Sequence, residues 1–443
     1  MIWRGLYRGT SALTAPALGV YLRRRLARGK EDPIRFGERK GIAPRPRPEG
    51  PLVWIHAASN GEAMSAQPVI DHLMRRDPAA HVLLTTGTVT SARLMAERLP
   101  PGAFHQYVPV DRLGWVRRFL DHWKPDLGIW VESELWPNLL WEMRDAGRPT
   151  VLLNGRVSAR SVARWRRVPG LARDLIGGFS LCLAQTTMEA ERLRALGARE
   201  ADCLGNLKYS APPLPADPDL LAALRHAVGE RPFWLAASTH PGEEERIAGV
   251  HARLAPQRPG LLTILVPRHP VRGTAIAEML RQQGFRVARR SETPIPPSDI
   301  DIYLADTLGE LGLFYRLSEI ALIGGSLEGG IGGHNPVEAV QMGAVPLFGP
   351  DMGNFESVAQ ELLAAGGALQ VRTEEAIAEA VARLFDDDEA RARMAHAGAG
   401  VAAQNRDVVS AVMRRLEPLL PPVADPAAAA PDQADLRRTE VKG

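Results

Sequence analysis

The sequence predicts an α/β protein of two doubly wound domains, each a parallel sheet covered by helices on both faces. Two observations lead there. Apolar runs alternate with helix-period stretches along most of the chain, and strands apolar throughout belong to sheets buried on both sides. The alternation is interrupted once, at 206–219, where "NLKYSAPPLPADPD" is rich in proline and polar residues. The 443 residues exceed what one compact core holds, and the 45% apolar and 24% charged shares are those of an ordinary globular protein.

Residues 1–50 come first, a basic and apolar segment. Ala12–Leu22 is apolar but broken by Pro16, with Arg4 and Arg8 before it and Arg23, Arg24, Arg25, Arg28 and Lys30 after. Such a run is too short to span a bilayer, which takes roughly 20 residues. A secretory signal shares the charged start and short apolar region. The arginines just downstream oppose export, because such charges stay on the cytoplasmic side. The segment is therefore expected to lie on the cytoplasmic membrane face, with its basic residues on anionic headgroups. An ordinary first helix is the plain alternative.

The first domain is expected over 51–205. Its strands are read at "LVWIHA" (52–57), "HVLLTTGT" (81–88), "DLGIWVES" (126–133), "TVLLNGR" (150–156) and "LCLAQT" (181–186). After the linker at 206–219, the second domain runs over 220–417. Its strands are read at 233–239, 261–269, 285–290, 301–307, 320–326, 345–350 and 368–372. The tail, 418–443, is rich in proline, alanine and charge and is expected to be disordered. The two cysteines offer neither a disulfide framework nor metal-ligand spacing, which points to a reducing compartment. A net charge of +3 and the lack of a recognition motif argue against nucleic acid.

Ligands of doubly wound sheets bind outside the carboxyl ends of the strands, so residues just after strands are the candidates. The first strand-to-helix turn of a nucleotide-binding domain usually carries glycines for phosphate. Here "HAASNGEAM" carries Glu62 instead. At a helix N-terminus the dipole favours an ionised carboxylate, so Glu62 is expected to be unprotonated at neutral pH with lowered basicity. Glu132 and Glu134 follow the third strand, and spacing alone does not separate them. Lys208 sits at the domain junction. Arg156, Arg160, Arg164, Arg166 and Arg167 surround Trp165, either as a solvated face or as contacts for anionic lipid or a phosphorylated acceptor.

In the second domain, Pro267, Arg268 and His269 follow one strand and Leu308, Gly309 and Glu310 another. A third strand leads to Gly324, Gly325 and Ser326, then to "GGIGGHNPVEAV". Asn335 is expected as an N-cap, with Pro336 in the first turn and Glu338 three residues after the cap. Glycines before a helix let amides approach an anion, and Arg268 adds a charge-assisted bond to phosphate. A nucleotide site is expected here. The plain alternative is a well-capped helix.

Several pieces together carry a family resemblance: "RFGERKG" (35–41), "SNGE", "ESELWPN", "NGRVSARS", "GNLK", "VPRHP", "LGEL", "GGS" and "GGHNPVEA". In this order, up to about residue 415, the chain resembles the 3-deoxy-D-manno-oct-2-ulosonic acid (Kdo) transferases of lipopolysaccharide synthesis. The resemblance implies a GT-B glycosyltransferase fold, two Rossmann-like domains facing a cleft. It implies CMP-Kdo as donor, a phosphorylated lipid A precursor (a tetraacyl disaccharide phosphate) as acceptor, and inversion at the anomeric carbon. It also implies the cytoplasmic side of the cell inner membrane. No metal or cofactor is expected, because CMP-Kdo carries its own leaving group. By position, Glu62 resembles the general base, and Glu134 and Lys208 the transition-state stabilisers. Pro267, Arg268, His269, Leu308, Gly309, Glu310, Asn335, Pro336, Val337 and Glu338 resemble the CMP-binding segments. Another GT-B enzyme of nucleotide sugars, a different transferase or an epimerase, is the alternative.

Overall fold

The computed structural model describes residues 2–210, 213–405 and 407–423. The chain divides into two compact units. One runs through Ser210 and resumes at Asp407, and the other lies between those points in sequence.

The first unit holds seven parallel strands: β1 (Leu52–His56), β2 (His81–Thr86), β3 (Ala103–Tyr107), β4 (Leu127–Val131), β5 (Thr150–Gly155), β6 (Leu181–Ala184) and β7 (Ala201–Cys203). Their order across the sheet is β3-β2-β1-β4-β5-β6-β7. Ile55 pairs with Leu84 on one side and Ile129 on the other. Alternate residues serve opposite faces. Trp54 and Trp130 enter one apolar layer with Phe119 and Trp123. Ile55 and Ile129 enter the other with Val69 and Ile70 of the helix Asn60–Arg76. Full burial of each such side chain stabilises the unit by about 1.5–3 kcal/mol.

The sequence reading found five of these strands and missed β3 and β7, the two edges of the sheet. The start of β3 is only half-buried and β7 is three residues long with one buried, so neither leaves a clear apolar run.

The domain boundaries differ from those expected. The turn Leu207–Ser210, expected in the linker, is packed into the first unit with Leu207 and Tyr209 at 1% exposure. The helix Val408–Leu416, expected at the end of the second domain, places Val408, Val412, Met413 and Leu416 in the same apolar layer as Ile55. Leu420 is also buried, and Glu417 receives Arg76. The start of the expected disordered tail is therefore ordered, and 424–443 lie outside the described residues.

The N-terminal segment forms the helices Ile2–Leu13 and Ala15–Ala27. Arg4 meets Asp145, Arg8 meets Glu142, and the Tyr7 hydroxyl donates to Asp111 at 2.9 Å. The polar side of the first helix thus faces protein, while Ile2, Leu6 and Leu13 are exposed. Among the described residues no helix is long and apolar enough to cross a membrane. The "RFGERKG" piece is structural. Glu38 is buried, binds Arg35 and accepts the Tyr107 amide. Gly41, at φ 76°, lies where a Cβ would stand 2.1 Å from the Trp115 carbonyl oxygen.

The second unit also carries seven parallel strands: β8 (Phe233–Thr239), β9 (Leu262–Pro267), β10 (Val287–Arg289), β11 (Ile302–Leu304), β12 (Ile320–Ile323), β13 (Val345–Phe348) and β14 (Leu369–Gln370). The order is β10-β11-β9-β8-β12-β13-β14. All seven were legible as apolar runs. One apolar layer gathers Trp234, Ile264's neighbour Leu265, Leu304, Leu322 and Leu347 with residues of the helices Glu243–Leu254 and Glu374–Asp386.

Candidate active site

Each sheet has one point where the strand order reverses, and there the loops diverge to leave a crevice. In the first unit it falls between β1 and β4, in the second between β8 and β12. Glu62 and Glu132 stand at the first place and the loop after β12 leads from the second, whereas Leu308–Glu310 follow β11, two strands away from β8.

At the first point β1 runs into the helix Asn60–Arg76. Ser59 is its N-cap and accepts the Glu62 amide at 3.4 Å. The Glu62 carboxylate reaches back to the Ala58 amide at 2.7 Å and the Ser59 hydroxyl at 3.1 Å. This reciprocal capping box orients the acid. The expected low basicity is overturned. Burial, and next the charge of Glu132, push the Glu62 carboxyl up to about 7, although the Ala58 and Ser59 bonds pull the other way. Desolvation outweighs the helix dipole here.

Glu132 directly follows β4 and has a left-handed φ of 62°, a strained conformation for a side chain with a Cβ. Its carboxylate lies 2.8 Å from Lys208 Nζ, and both residues are 8% exposed. The structure thus pairs Lys208 with Glu132, not with Glu134. Glu134 is half-buried, which raises its carboxyl above the usual range, and it also acts on Glu62. Three carboxylates and one ammonium therefore share this end of the sheet.

Sequence reasoning missed the residues that position Lys208. Asn154, at φ 53°, accepts the Leu207 amide at 3.1 Å and donates to Asn206 Oδ1 at 3.3 Å. Asn206 Oδ1 also accepts the Lys208 amide, and Gln185 donates to the Asn154 carbonyl. The signal was present in "NGR" and "GNLK", whose asparagines bind each other. Beside Glu132 lies a cavity of about 110 Å³ lined by Ser133, Leu135, Arg156, Ser161 and Trp165 among others. Arg160, Arg164, Arg166 and Arg167 are exposed around the helix Ala159–Trp165.

At the second point Pro267 closes β9, and Arg268 and His269 are exposed beyond it. Leu308 and Gly309 are exposed after β11. The Glu310 carboxylate is occupied by Arg290, at 2.5 and 2.6 Å, and by the Thr307 hydroxyl. Asn335 accepts the Val337 amide at 3.1 Å and its amide meets Glu338. The helix itself is Val337–Gln341, preceded by Pro336, so it starts one residue later than expected and is short.

The expected glycine cradle is corrected. Buried Glu243 already fills it, accepting the amides of His240, Gly325, Ser326 and Leu327 at 2.8–3.2 Å. Asp351 likewise takes the amides of Gly330 and Gly332. Those amides serve internal carboxylates, so an incoming anion depends on side chains. Histidines from three adjacent strand ends supply some. His240 and His334 are joined Nε2 to Nε2 at 2.8 Å, and His269 stands edge-on to His240.

Two doubly wound parallel sheets, each with its titratable groups beyond the strand ends, are the architecture of the GT-B fold, which sugar-nucleotide transferases and epimerases share. A putative UDP-N-acetylglucosamine 2-epimerase from Listeria monocytogenes shares the fold, with a TM-score of 0.52 and 13% identity over 83% of this chain and 97% of that one. The family model of 3-deoxy-D-manno-octulosonic-acid transferase (kdotransferase) matches residues 34–211. The 3-deoxy-D-manno-octulosonic acid transferase of Rickettsia bellii is 34% identical over 87% of this chain and 92% of its own length. That of Haemophilus influenzae is 33% identical over 95% and 99%. The chain belongs to the 3-deoxy-D-manno-octulosonic acid transferase family.

Proposed function

We propose that the enzyme moves Kdo from CMP-Kdo to a phosphorylated, acylated lipid A precursor, with inversion and with Glu62 as general base. The observation that carries this reading is the Glu62 carboxyl, oriented by its capping box and raised to about 7 beside Glu132. A base poised near the working pH is best placed to take a proton from an attacking hydroxyl. Inversion follows from a single displacement, in which the hydroxyl attacks opposite the leaving phosphate. Lys208, held by Glu132, supplies a fixed cation for the donor carboxylate or the charge that develops as the bond breaks. This reading assigns that role to the Lys208–Glu132 pair rather than to Glu134. In the second unit Arg268, His269, the Leu308–Glu310 turn and Asn335–Glu338 bind the CMP moiety. The reaction as written needs no metal or cofactor.

The acceptor is an amphiphile, and the outward Ile2, Leu6 and Leu13 support a membrane-surface location. We place the first helix in the interface of the cytoplasmic leaflet, its apolar side in the acyl boundary and the exposed Arg23, Arg24 and Arg28 on anionic headgroups, Arg25 being held by Glu31. The exposed arginines of 160–167 suit the acceptor's phosphates.

Product analysis by mass spectrometry, with CMP-Kdo and a tetraacyl disaccharide phosphate, tests the reading. A product heavier by one or more Kdo residues, lost in Glu62→Gln while CMP still binds, is expected. Intact acceptor with the wild-type enzyme, or full turnover by the variant, refutes it.

A further inference from the structure

We infer that His240 and His334 form one shared protonation site for the nucleotide phosphate, taking up a proton from solvent when that phosphate binds and releasing it when the nucleotide leaves. The inference rests on the CMP reading above and adds a task for two residues to which that reading gives none.

Position is the first ground. His240 follows β8 and His334 follows the loop from β12, so the pair straddles the point where the strand order reverses. The approach is enforced by the backbone. A Cβ on Gly324 would lie 2.3 Å from the Ser238 carbonyl oxygen, and Ser238 itself adopts φ 59° at the end of β8. The Arg268 amide bonds the Thr239 carbonyl, which ties the β9 end to the same place.

The second ground is the hydrogen bond itself. Two imidazoles joined through Nε2 must consist of one donor and one acceptor. In the neutral pair the donor ring has a bare Nδ1 and the acceptor ring carries Nδ1–H. Adding one proton leaves the Nε2 bond intact and puts a hydrogen on both Nδ1 atoms. The pair then presents two donors and a positive charge where it had presented one donor and one lone pair. A second proton would break the bond, so the two rings titrate as a unit.

The third ground is the surrounding charge. From the β9 end come Arg268, His269 and Arg272; from the helix Glu243–Leu254 come Glu243 and Glu244; beyond the glycine loop stands Asp351. Glu243 and Asp351 accept loop amides, and Glu244 holds Arg272 at 2.8 and 3.0 Å. Burial, then Arg268, hold His334 down to about 4, and burial, then His269, lower His240. An added anion opposes the burial and the neighbouring cations that hold both rings down, and so favours protonation of the pair.

The chemistry fits the reaction proposed. When the bond from the Kdo anomeric carbon to the phosphate oxygen breaks, its electron pair stays on that oxygen. The phosphodiester monoanion becomes a monoester dianion, and the acceptor hydroxyl proton goes to Glu62. The proton taken onto the histidine pair when the phosphate bound offsets the added charge and returns to solvent with CMP release.

Calorimetry of CMP binding to the full-length enzyme, in buffers of different ionisation enthalpy at pH 7.5, tests this. A phosphate monoester with a second pKa of about 6 is then almost wholly a dianion, so the ligand contributes little of its own. Proton uptake is expected with CMP and none with cytidine, which lacks the phosphate. His240→Gln and His334→Gln should each abolish the uptake and weaken CMP binding about tenfold, the size of one charge-assisted interaction. Binding of CMP without uptake, or the same uptake in both variants, overturns the histidine assignment alone. No CMP binding by the wild type overturns the nucleotide reading, and this inference with it.

Discussion

Lys208 Nζ lies 2.8 Å from Glu132 Oε1, with both side chains almost fully buried at the carboxyl end of the first sheet. Removing one partner strands the other as a buried charge, which typically costs 3–5 kcal/mol. Lys208→Met is expected to destabilise the protein by about 3 kcal/mol in urea unfolding. Glu132→Gln in the same chain should restore much of that loss, because the two effects are coupled. Additive losses would show that the pair does not interact as drawn.

Glu62 sets the pH dependence. Its carboxyl is raised from 4.5 to about 7, so the basic form gains population as pH rises through 7. In a pH–rate profile, kcat/KM should therefore climb through about pH 7 and level above it. Glu62→Gln should lower kcat about 10²- to 10⁴-fold, the usual contribution of a positioned base.

The same shift acts on stability with a definite sign. Between pH 4.5 and about 7 the folded chain holds a proton at Glu62 that the unfolded chain has lost. Glu62 therefore makes stability decline as pH rises through that window. Glu62→Gln should flatten this decline, read as the difference in unfolding midpoint between pH 5 and pH 8.

Glu243 is fully buried and accepts four backbone amides. Glu243→Ala leaves those amides unsatisfied, at about 1–3 kcal/mol for each group that finds no water. A loss of about 3 kcal/mol or more in urea unfolding is expected, with weaker CMP binding as the His240 and Gly325–Leu327 loops separate. Unchanged CMP affinity would show that the loops keep their positions without it.

Leu6→Glu with Leu13→Glu tests the membrane placement. The substitutions replace two exposed apolar side chains and touch no partner of Arg4 or Arg8. Sedimentation with vesicles containing anionic lipid should fall at least about tenfold, since burying a leucine contributes about 1.5–3 kcal/mol. Equal sedimentation would place the contact elsewhere.

The sheets were legible because parallel strands buried on both faces leave apolar runs such as "LVWIH" and "IALI". β3 and β7 were not, since β3 begins half-buried and β7 is three residues long with one of them buried. Site legibility divided in the same way. Glu62 stands in the first turn of a helix that its own motif caps, and Lys208 in a turn held by the asparagines of "NGR" and "GNLK", both local in sequence pattern. The basicity of Glu62 was misread because burial and the charge of Glu132 come from a strand far away in sequence. Glu132 could not be told from Glu134 because the distinction lies in a positive φ and in a lysine more than seventy residues on. The glycine cradle was misread because its occupant, Glu243, sits in a helix with no sequence link to the loop it fills.

The helix Val408–Leu416 completes an apolar layer that begins with β1. On the ribosome that helix leaves the exit tunnel only after the whole second unit has done so, so the first unit keeps one apolar face of its sheet incomplete until synthesis is nearly over.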